Sequence, residues 1–178
     1  MSKIIIIGAG AMGTAFALPC LDNNHDINIV GTHLENDFID QLKKNDNLHP
    51  GLNTKIPKEI KIFKFEKFDE ILKSNVDLIV LGISSKGIEW VADQLSRLFK
   101  NSKIPKLLML TKGLSIHRNK YELLVDKLMR LLNDKGIKKA DISAVGGPCL
   151  AAGLANRVHS SVVIANKDIQ TAKRIADM

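Results

Sequence analysis

The residues with the clearest chemical potential lie in the first thirteen positions. Gly8-Ala9-Gly10-Ala11-Met12-Gly13 is a G-x-G-x-x-G placed directly after the apolar run Ile4–Ile7 and directly before a helical pattern. The glycines have separate tasks. Gly8 permits a tight turn, Gly10 lets backbone approach a pyrophosphate, and Gly13 lets the helix pack closely on the strand. The opening of the helix then presents free N–H groups and a partial positive charge to phosphate. The motif alone is a weak signal, and the strand before it and helix after it make it specific.

Three further stations follow apolar runs. Gly31-Thr32-His33-Leu34-Glu35 comes after Ile27–Val30. An acidic residue at that strand end holds ribose hydroxyls, and a basic one takes a 2′-phosphate. Thr32 and His33 occupy the strand end and Glu35 lies slightly beyond, so neither rule is met cleanly. His33 is either a phosphate contact or a solvated loop residue. Ile83-Ser84-Ser85 follows Leu78–Leu81. Small residues there leave room for the nicotinamide side of a dinucleotide, and Ser84 equally suits a helix cap. Thr111-Lys112-Gly113-Leu114 follows Leu107–Leu110. Lys112 therefore stands at the carboxyl end of a strand, where ligands bind in open α/β sheets. It serves there as a point charge for a phosphate or carbonyl oxygen, or is one more surface lysine. Last, Ala144-Val145-Gly146-Gly147-Pro148-Cys149 forces a turn at another strand end, either a plain turn or one with amides free for a phosphate or hydroxyl.

These stations need a scaffold that brings strand ends to one edge. Short β-branched runs alternate with helical stretches, the pattern of βαβ units around a parallel sheet. The expected class is α/β, a Rossmann-type, doubly wound, mostly parallel sheet with helices on both faces. Strands are expected at Ile4–Ile7, Ile27–Val30, Ile60–Phe65, Leu78–Leu81, Leu107–Leu110, Ile142–Val145 and Val162–Ile164. Thr14–Leu21, the segment around Phe38-Ile39-Leu42, Phe68–Leu72, Ile88–Leu98 and Leu123–Leu131 read as helices, the last ending near Gly136. Asn45–Pro57 reads as loop. Pro19 removes an N–H inside the first helix and predicts a kink or early end there. Asp168 reads as an N-cap for a last helix carrying Ile169, Ala172, Ile175 and Ala176, and the chain stops inside that pattern at Met178. The expectation is one dinucleotide-binding domain, 1–178, cut from a longer parent or a truncated reading frame.

Composition removes several other classes. Apolar residues make up 45% of the 178, and mean hydropathy is near zero, so the chain can build a core. No apolar run approaches the ~18 residues of a membrane span, and Met1–Lys3 leads into no secretory signal, so a cytoplasmic protein is expected. Two cysteines form neither a disulfide framework nor a metal-ligand spacing, and no metal is expected; Cys20 reads as a buried small hydrophobe. Residues 1–89 carry 10 basic and 12 acidic side chains, and residues 90–178 carry 16 and 7. The basic second half suits an anionic ligand. Nucleic acid is not expected, because aromatics are only 4% and no nucleic-acid motif is present.

Taken together and in this order, the motifs resemble NAD(P)-dependent glycerol-3-phosphate dehydrogenase, from Lys3 to the end of the chain. The resemblance rests on Ile7–Ala15, Val30-Gly31-Thr32, Asn47-Leu48-His49-Pro50-Gly51-Leu52, Thr111–Leu114 and Gly147-Pro148-Cys149-Leu150-Ala151. The loop methionine and the His-Pro pair look closest to the archaeal-type branch. The resemblance implies that Ala11 and Met12 sit against the phosphates of NAD or NADP and that Thr32 lies near the adenosine ribose. It implies that Lys112 touches cofactor and substrate, Gly147 and Cys149 the glycerol phosphate, and Ala151 the cofactor. The implied reaction is reversible hydride transfer between sn-glycerol 3-phosphate and dihydroxyacetone phosphate, feeding glycerophospholipid synthesis.

Two departures bear on this. Gly153 stands where the family has Glu, and Cys149 where it has Ser, Thr or Ala. The family's helical C-terminal domain, with a second lysine as general acid–base, is absent from these 178 residues. The chain alone is expected to bind cofactor with little turnover, and its expected partners are a small phosphorylated substrate and either a second copy or the missing domain. Two other classes share a Rossmann half: reductases of the 6-phosphogluconate-dehydrogenase-like group, of ketopantoate or hydroxyacid type, and non-catalytic nucleotide-binding modules. Thr111-Lys112-Gly113 and Gly147-Pro148 favour the dehydrogenase.

Overall fold

A computed structural model describes Met1–Met178. In chain order the elements are β1 (Lys3–Ile7), α1 (Ala11–Asp22), β2 (Asp26–Val30), α2 (Asn36–Lys44), β3 (Leu48–His49), β4 (Thr54–Lys55), β5 (Lys61–Phe63), α3 (Phe68–Lys73), β6 (Leu78–Leu81) and α4 (Ile88–Phe99). There follow β7 (Lys106–Met109), β8 (Leu114–His117), β9 (Lys120–Leu123), α5 (Leu124–Asp134), β10 (Ile142–Gly146), α6 (Ala151–Ala155), β11 (Val163–Ala165) and α7 (Ile169–Ala176).

Seven strands form one sheet in the order β5-β2-β1-β6-β7-β10-β11. All neighbours are parallel except β11, which runs antiparallel to β10. The chain winds outward from β1 through β2 to β5, then returns to lay β6 on the other side of β1. That reversal opens a crevice beyond the carboxyl ends of β1 and β6. The expected Rossmann-type sheet is therefore present.

Side chains explain the two helical layers. Strand residues alternate faces, so the isoleucine run of β1 splits in two. Ile4 and Ile6 join Leu18 of α1, Ile39 and Leu42 of α2, Ala155 of α6 and Ile175 of α7. Ile5 and Ile7 join Phe68 and Leu72 of α3, Val91 and Leu95 of α4, and Leu128 and Leu132 of α5. A continuous apolar run is needed because both faces are dry.

Three elements differ from expectation. α1 continues through Pro19 to Asp22, and the Asn23 N–H donates to Pro19 O at 3.0 Å. The exposed proline ring meets solvent in the last turn, where one missing bond is tolerated. Second, Leu114–Leu123 forms the hairpin β8–β9, which takes over the expected helix start at Leu123. Its turn holds Arg118 at φ 50° and Asn119 at φ 61°, the left-handed pair that matches the strand twist without the usual glycine. Third, the loop Asn45–Pro57 contains the short pair β3–β4 around Pro50-Gly51. The Asp168 cap forms as expected, accepting from the N–H groups of Gln170 and Thr171 at 3.1 Å each.

Candidate functional site

Gly8 leaves β1 with φ +106°, and a Cβ there would lie 2.6 Å from Gly82 O. A Cβ on Gly13 would lie 2.5 Å from Gly8 O, and one on Gly82 would lie 2.8 Å from Gly13 Cα. Three glycines thus interlock where β1, α1 and the end of β6 meet. Gly82 follows β6 and carries no motif of its own, so the glycine loop alone does not reveal it. Gly10 is different: at the opening of α1 its missing Cβ faces space, with Glu35 Oε1 nearest at 3.9 Å. No side chain caps α1 and no acid sits in its first turn. Its leading N–H groups have no intrahelical acceptors, and the dipole favours an anion. A pyrophosphate fits this opening.

The loop is braced at Ala9. Its N–H donates to Glu35 Oε1 at 3.1 Å, and its carbonyl accepts from Thr14 Oγ1 at 3.1 Å. His49 Nε2 lies 3.3 Å from the same carbonyl. His49 is 3% exposed, its ring meets Phe38 at 5.2 Å, and its Nδ1 has no partner. Burial pushes its pKa below the ordinary 6.5. The imidazole is therefore neutral at pH 7, and with Ala9 O the acceptor, Nε2 carries the proton.

Between this loop and the segment after β6 lies a crevice of about 570 Å³. Five expected site residues line it: Gly8, Gly10, Thr32, His33 and Ser84. Glu35, Gly82, Lys86 and Trp90 line it as well. Trp90, the chain's single tryptophan, packs on His33 at 5.1 Å between ring centres and on Phe65 and Phe68. His33 thus borders the crevice with one side against Trp90 while it remains exposed to solvent. Ser84 makes no capping hydrogen bond, so its helix-cap role is not realised.

The other expected residues lie elsewhere. Ala11 and Met12 open α1 and pack against the core beside Ala151, the first residue of α6, where α6 rests on α1. Gly13 is buried beneath the loop. Lys112 follows β7 at the same carboxyl edge. There Leu110 N–H donates to Leu81 O at 3.2 Å, and Thr111 Oγ1 donates to Ile83 O. Lys112 is exposed and makes no ion pair or hydrogen bond, and Gly113 beyond it takes φ +131°. It stands on the strand next to the crevice but is not part of its lining. Gly147 has φ +99°, and a Cβ there would approach Ser161 O at 3.0 Å. Cys149 is buried, its N–H donating to Gly147 O at 3.0 Å. No group of three or more His, Cys, Asp or Glu residues is arranged to hold a metal.

A doubly wound sheet with an uncapped helix opening at its switch point defines a Rossmann-type dinucleotide-binding domain. Within that class, the family model for the NAD-dependent glycerol-3-phosphate dehydrogenase N-terminus matches residues 3–172, and the chain belongs to this family.

Among curated relatives, the chain is 27% identical over 175 residues to NADP(+)-dependent glycerol-3-phosphate dehydrogenase of Archaeoglobus fulgidus, covering 98% of this chain and 50% of that one. It is 28% identical over 184 residues to glycerol-3-phosphate dehydrogenase [NAD(P)+] of Bacillus pumilus, covering 100% and 49%. The chain thus spans about half the length of these relatives. Among solved structures, glycerol-3-phosphate dehydrogenase from Coxiella burnetii superposes with TM-score 0.79 at 20% identity, over 98% of this chain and 49% of that one. At that identity the likeness speaks for the fold. No helix is long and apolar enough to cross a membrane.

Proposed function

We propose that this chain is the nucleotide-binding half of a cytoplasmic sn-glycerol-3-phosphate dehydrogenase. The observation that carries the reading is the uncapped opening of α1 above the Gly8–Gly13–Gly82 contact, inside a chain matched by the family over residues 3–172. The first-turn amides of Ala11, Met12 and Gly13 hold the pyrophosphate of NAD or NADP. Thr32, His33 and Glu35 border the adenosine ribose, and Trp90 offers a flat apolar surface beside it. Ser84 and Ala151 flank the nicotinamide half. The bound dinucleotide supplies or accepts hydride. Lys112, unpaired and at the neighbouring strand end, meets the carbonyl oxygen of dihydroxyacetone phosphate and stabilises the charge that develops there. Gly147 and Cys149 border the substrate.

The proton at that oxygen needs a second general acid. General acid–base help is worth ~10²–10⁴-fold in rate. We assign it to a helical second domain, and the 178 residues alone bind cofactor with little turnover. Supporting a second domain, nine of the twelve exposed large apolar residues lie between Leu114 and Ile169.

Titration of the chain with NADH while exciting Trp90 tests the reading. Saturable quenching, with energy transfer to the nicotinamide, is expected, together with negligible dihydroxyacetone phosphate reduction. Absence of any spectral response to NADH or NADPH would overturn the site. Vigorous turnover by these residues alone would overturn the two-domain assignment.

A further inference from the structure

Asn47–Leu52 is the motif that the cofactor and substrate contacts leave without a task. It carries His49 in β3, paired with Thr54 of β4. The turn between them closes against the ring: Leu52 N–H donates to His49 O at 3.2 Å, and a Cβ on Gly51 would lie 3.4 Å from His49 Cε1. The side chain is 3% exposed. Its Nδ1 has no partner, so Nε2 against Ala9 O at 3.3 Å is its one polar contact. A leucine or methionine would fill such a pocket without leaving a polar atom unpaired. The imidazole is therefore best explained by what it does at Ala9, 40 residues earlier in the chain.

The Ala9 carbonyl is one end of a peptide unit whose other end is the Gly10 N–H. No peptide bond in the chain is cis, so the two groups point in opposite directions across that plane. His49 Nε2 and Thr14 Oγ1 both donate to the carbonyl, which has two lone pairs to offer. Both donors are buried, so the oxygen is held on the core side. The Gly10 N–H is thereby turned the other way, where Gly10 lines the crevice and this N–H has no partner in the fold. It stands beside the free first-turn amides of α1. Glu35 takes the Ala9 N–H at 3.1 Å, so side chains fix the peptide units on both sides of Ala9. We propose that His49 is a positioning residue for the dinucleotide: by holding the Ala9 carbonyl it aims the Gly10 N–H at the pyrophosphate. The inference rests on the crevice being the dinucleotide site. Thr14 belongs to the helix that the loop opens, whereas His49 ties the loop to a separate element, the β3–β4 pair.

The experiment titrates NADH, ADP and adenosine into the wild-type chain and into His49→Leu, His49→Met and His49→Gln, following Trp90 fluorescence. H49L and H49M keep a buried apolar side chain but remove the donor. Both should weaken NADH and ADP by ~3–10-fold, the scale of one neutral hydrogen bond, and leave adenosine, which has no pyrophosphate, unchanged. Two variants of different shape keep one poorly packed side chain from deciding the result. H49Q retains an N–H and should restore most of the NADH and ADP affinity. Urea unfolding of unliganded H49L or H49M should occur no earlier than in the wild type, because the unpartnered Nδ1 is removed with the donor. Equal weakening of all three ligands together with lost stability would make His49 a structural residue and overturn the inference. Unchanged NADH and ADP affinities in both apolar variants would overturn it while leaving the crevice as the dinucleotide site. Failure of NADH to bind the wild type overturns the site reading and this inference with it.

Discussion

At the residue scale, burial and pairing separate the groups that react from those that pack. Cys20 is 6% exposed, and burial pushes its thiol up to about 12. It is no nucleophile at neutral pH, because the thiolate is the reactive form. In a Cys149→Ser chain, a thiol reagent at pH 8 should therefore label Cys20 only after denaturation; rapid labelling of the folded chain would contradict its burial. Lys112 is the opposite case, exposed and without partners. Lys112→Met should change folding stability by less than ~0.5 kcal/mol, as surface substitutions do. In the proposed two-domain enzyme it should cut dihydroxyacetone phosphate reduction by ~10²–10³-fold, the scale of one oxyanion contact. A loss of stability with activity intact would make Lys112 a structural residue.

His49 gives a pH dependence whose sign is fixed by burial. Its folded pKa is lowered from 6.5, so between that depressed value and 6.5 the unfolded chain binds the extra proton. Stability is fully present above 6.5 and is lost as pH falls through the folded pKa. The carboxylates held low by partners, such as Asp69 beside Arg97 and Glu122 beside Arg130, act at lower pH, below their ordinary 3.8 and 4.5. Urea unfolding between pH 5 and 7.5 should show a slope that His49→Gln flattens, since the amide still offers an N–H to Ala9 O and does not titrate in this range. An unchanged slope in the variant would assign the effect elsewhere.

At the element scale, the decisive contact is between α1 and the ends of β1 and β6. Gly13→Ala inserts a methyl 2.5 Å from Gly8 O and 3.3 Å from Ile6 Cγ2. The Gly8 carbonyl is backbone and cannot yield without shifting the loop, so a cost of ~2 kcal/mol or more is expected, in the range of overpacking. Weakened NADH binding should accompany it. Equilibrium denaturation with the Trp90 titration checks both; a stable variant with normal binding would show that the approach is looser than these distances.

At the scale of the whole molecule, the crevice is formed by the segments that follow β1, β2 and β6. A ligand that binds only the folded state stabilises it by RT ln(1 + [L]/Kd), ~2.7 kcal/mol at a hundredfold excess over Kd. For a chain of this size that is about 5–10 °C in thermal midpoint. NADH should produce that shift in calorimetry, and adenine alone a smaller one. No shift with NADH would count against the crevice as its site.

Local rules suffice for most of the scaffold. The apolar runs mark β1, β2, β6, β7 and β10 within a residue or two, because strands dry on both faces can hold little else. The 3.6-residue spacing marks α4 and α5, and Asp168 marks the start of α7. The glycine loop is legible because its geometry is a property of local backbone. What escapes is set by distant partners. The β8–β9 hairpin turns on Arg118 and Asn119, two residues whose left-handed backbone the residue types do not announce. Gly82 matters only because α1 crosses 2.8 Å from its missing side chain. Trp90 reaches the crevice from an element 57 residues beyond His33, and His49 reaches the glycine loop behind it from 16 residues beyond, both through packing rather than motif. Thus the sequence by itself determined a Rossmann half with a glycine-lined helix opening, since strand, turn and helix there are contiguous. Only the tertiary structure decided that Glu35 bends back onto Ala9 and that His49 braces the same residue, because hydrogen bonds spanning 26 and 40 residues depend on how the layers close.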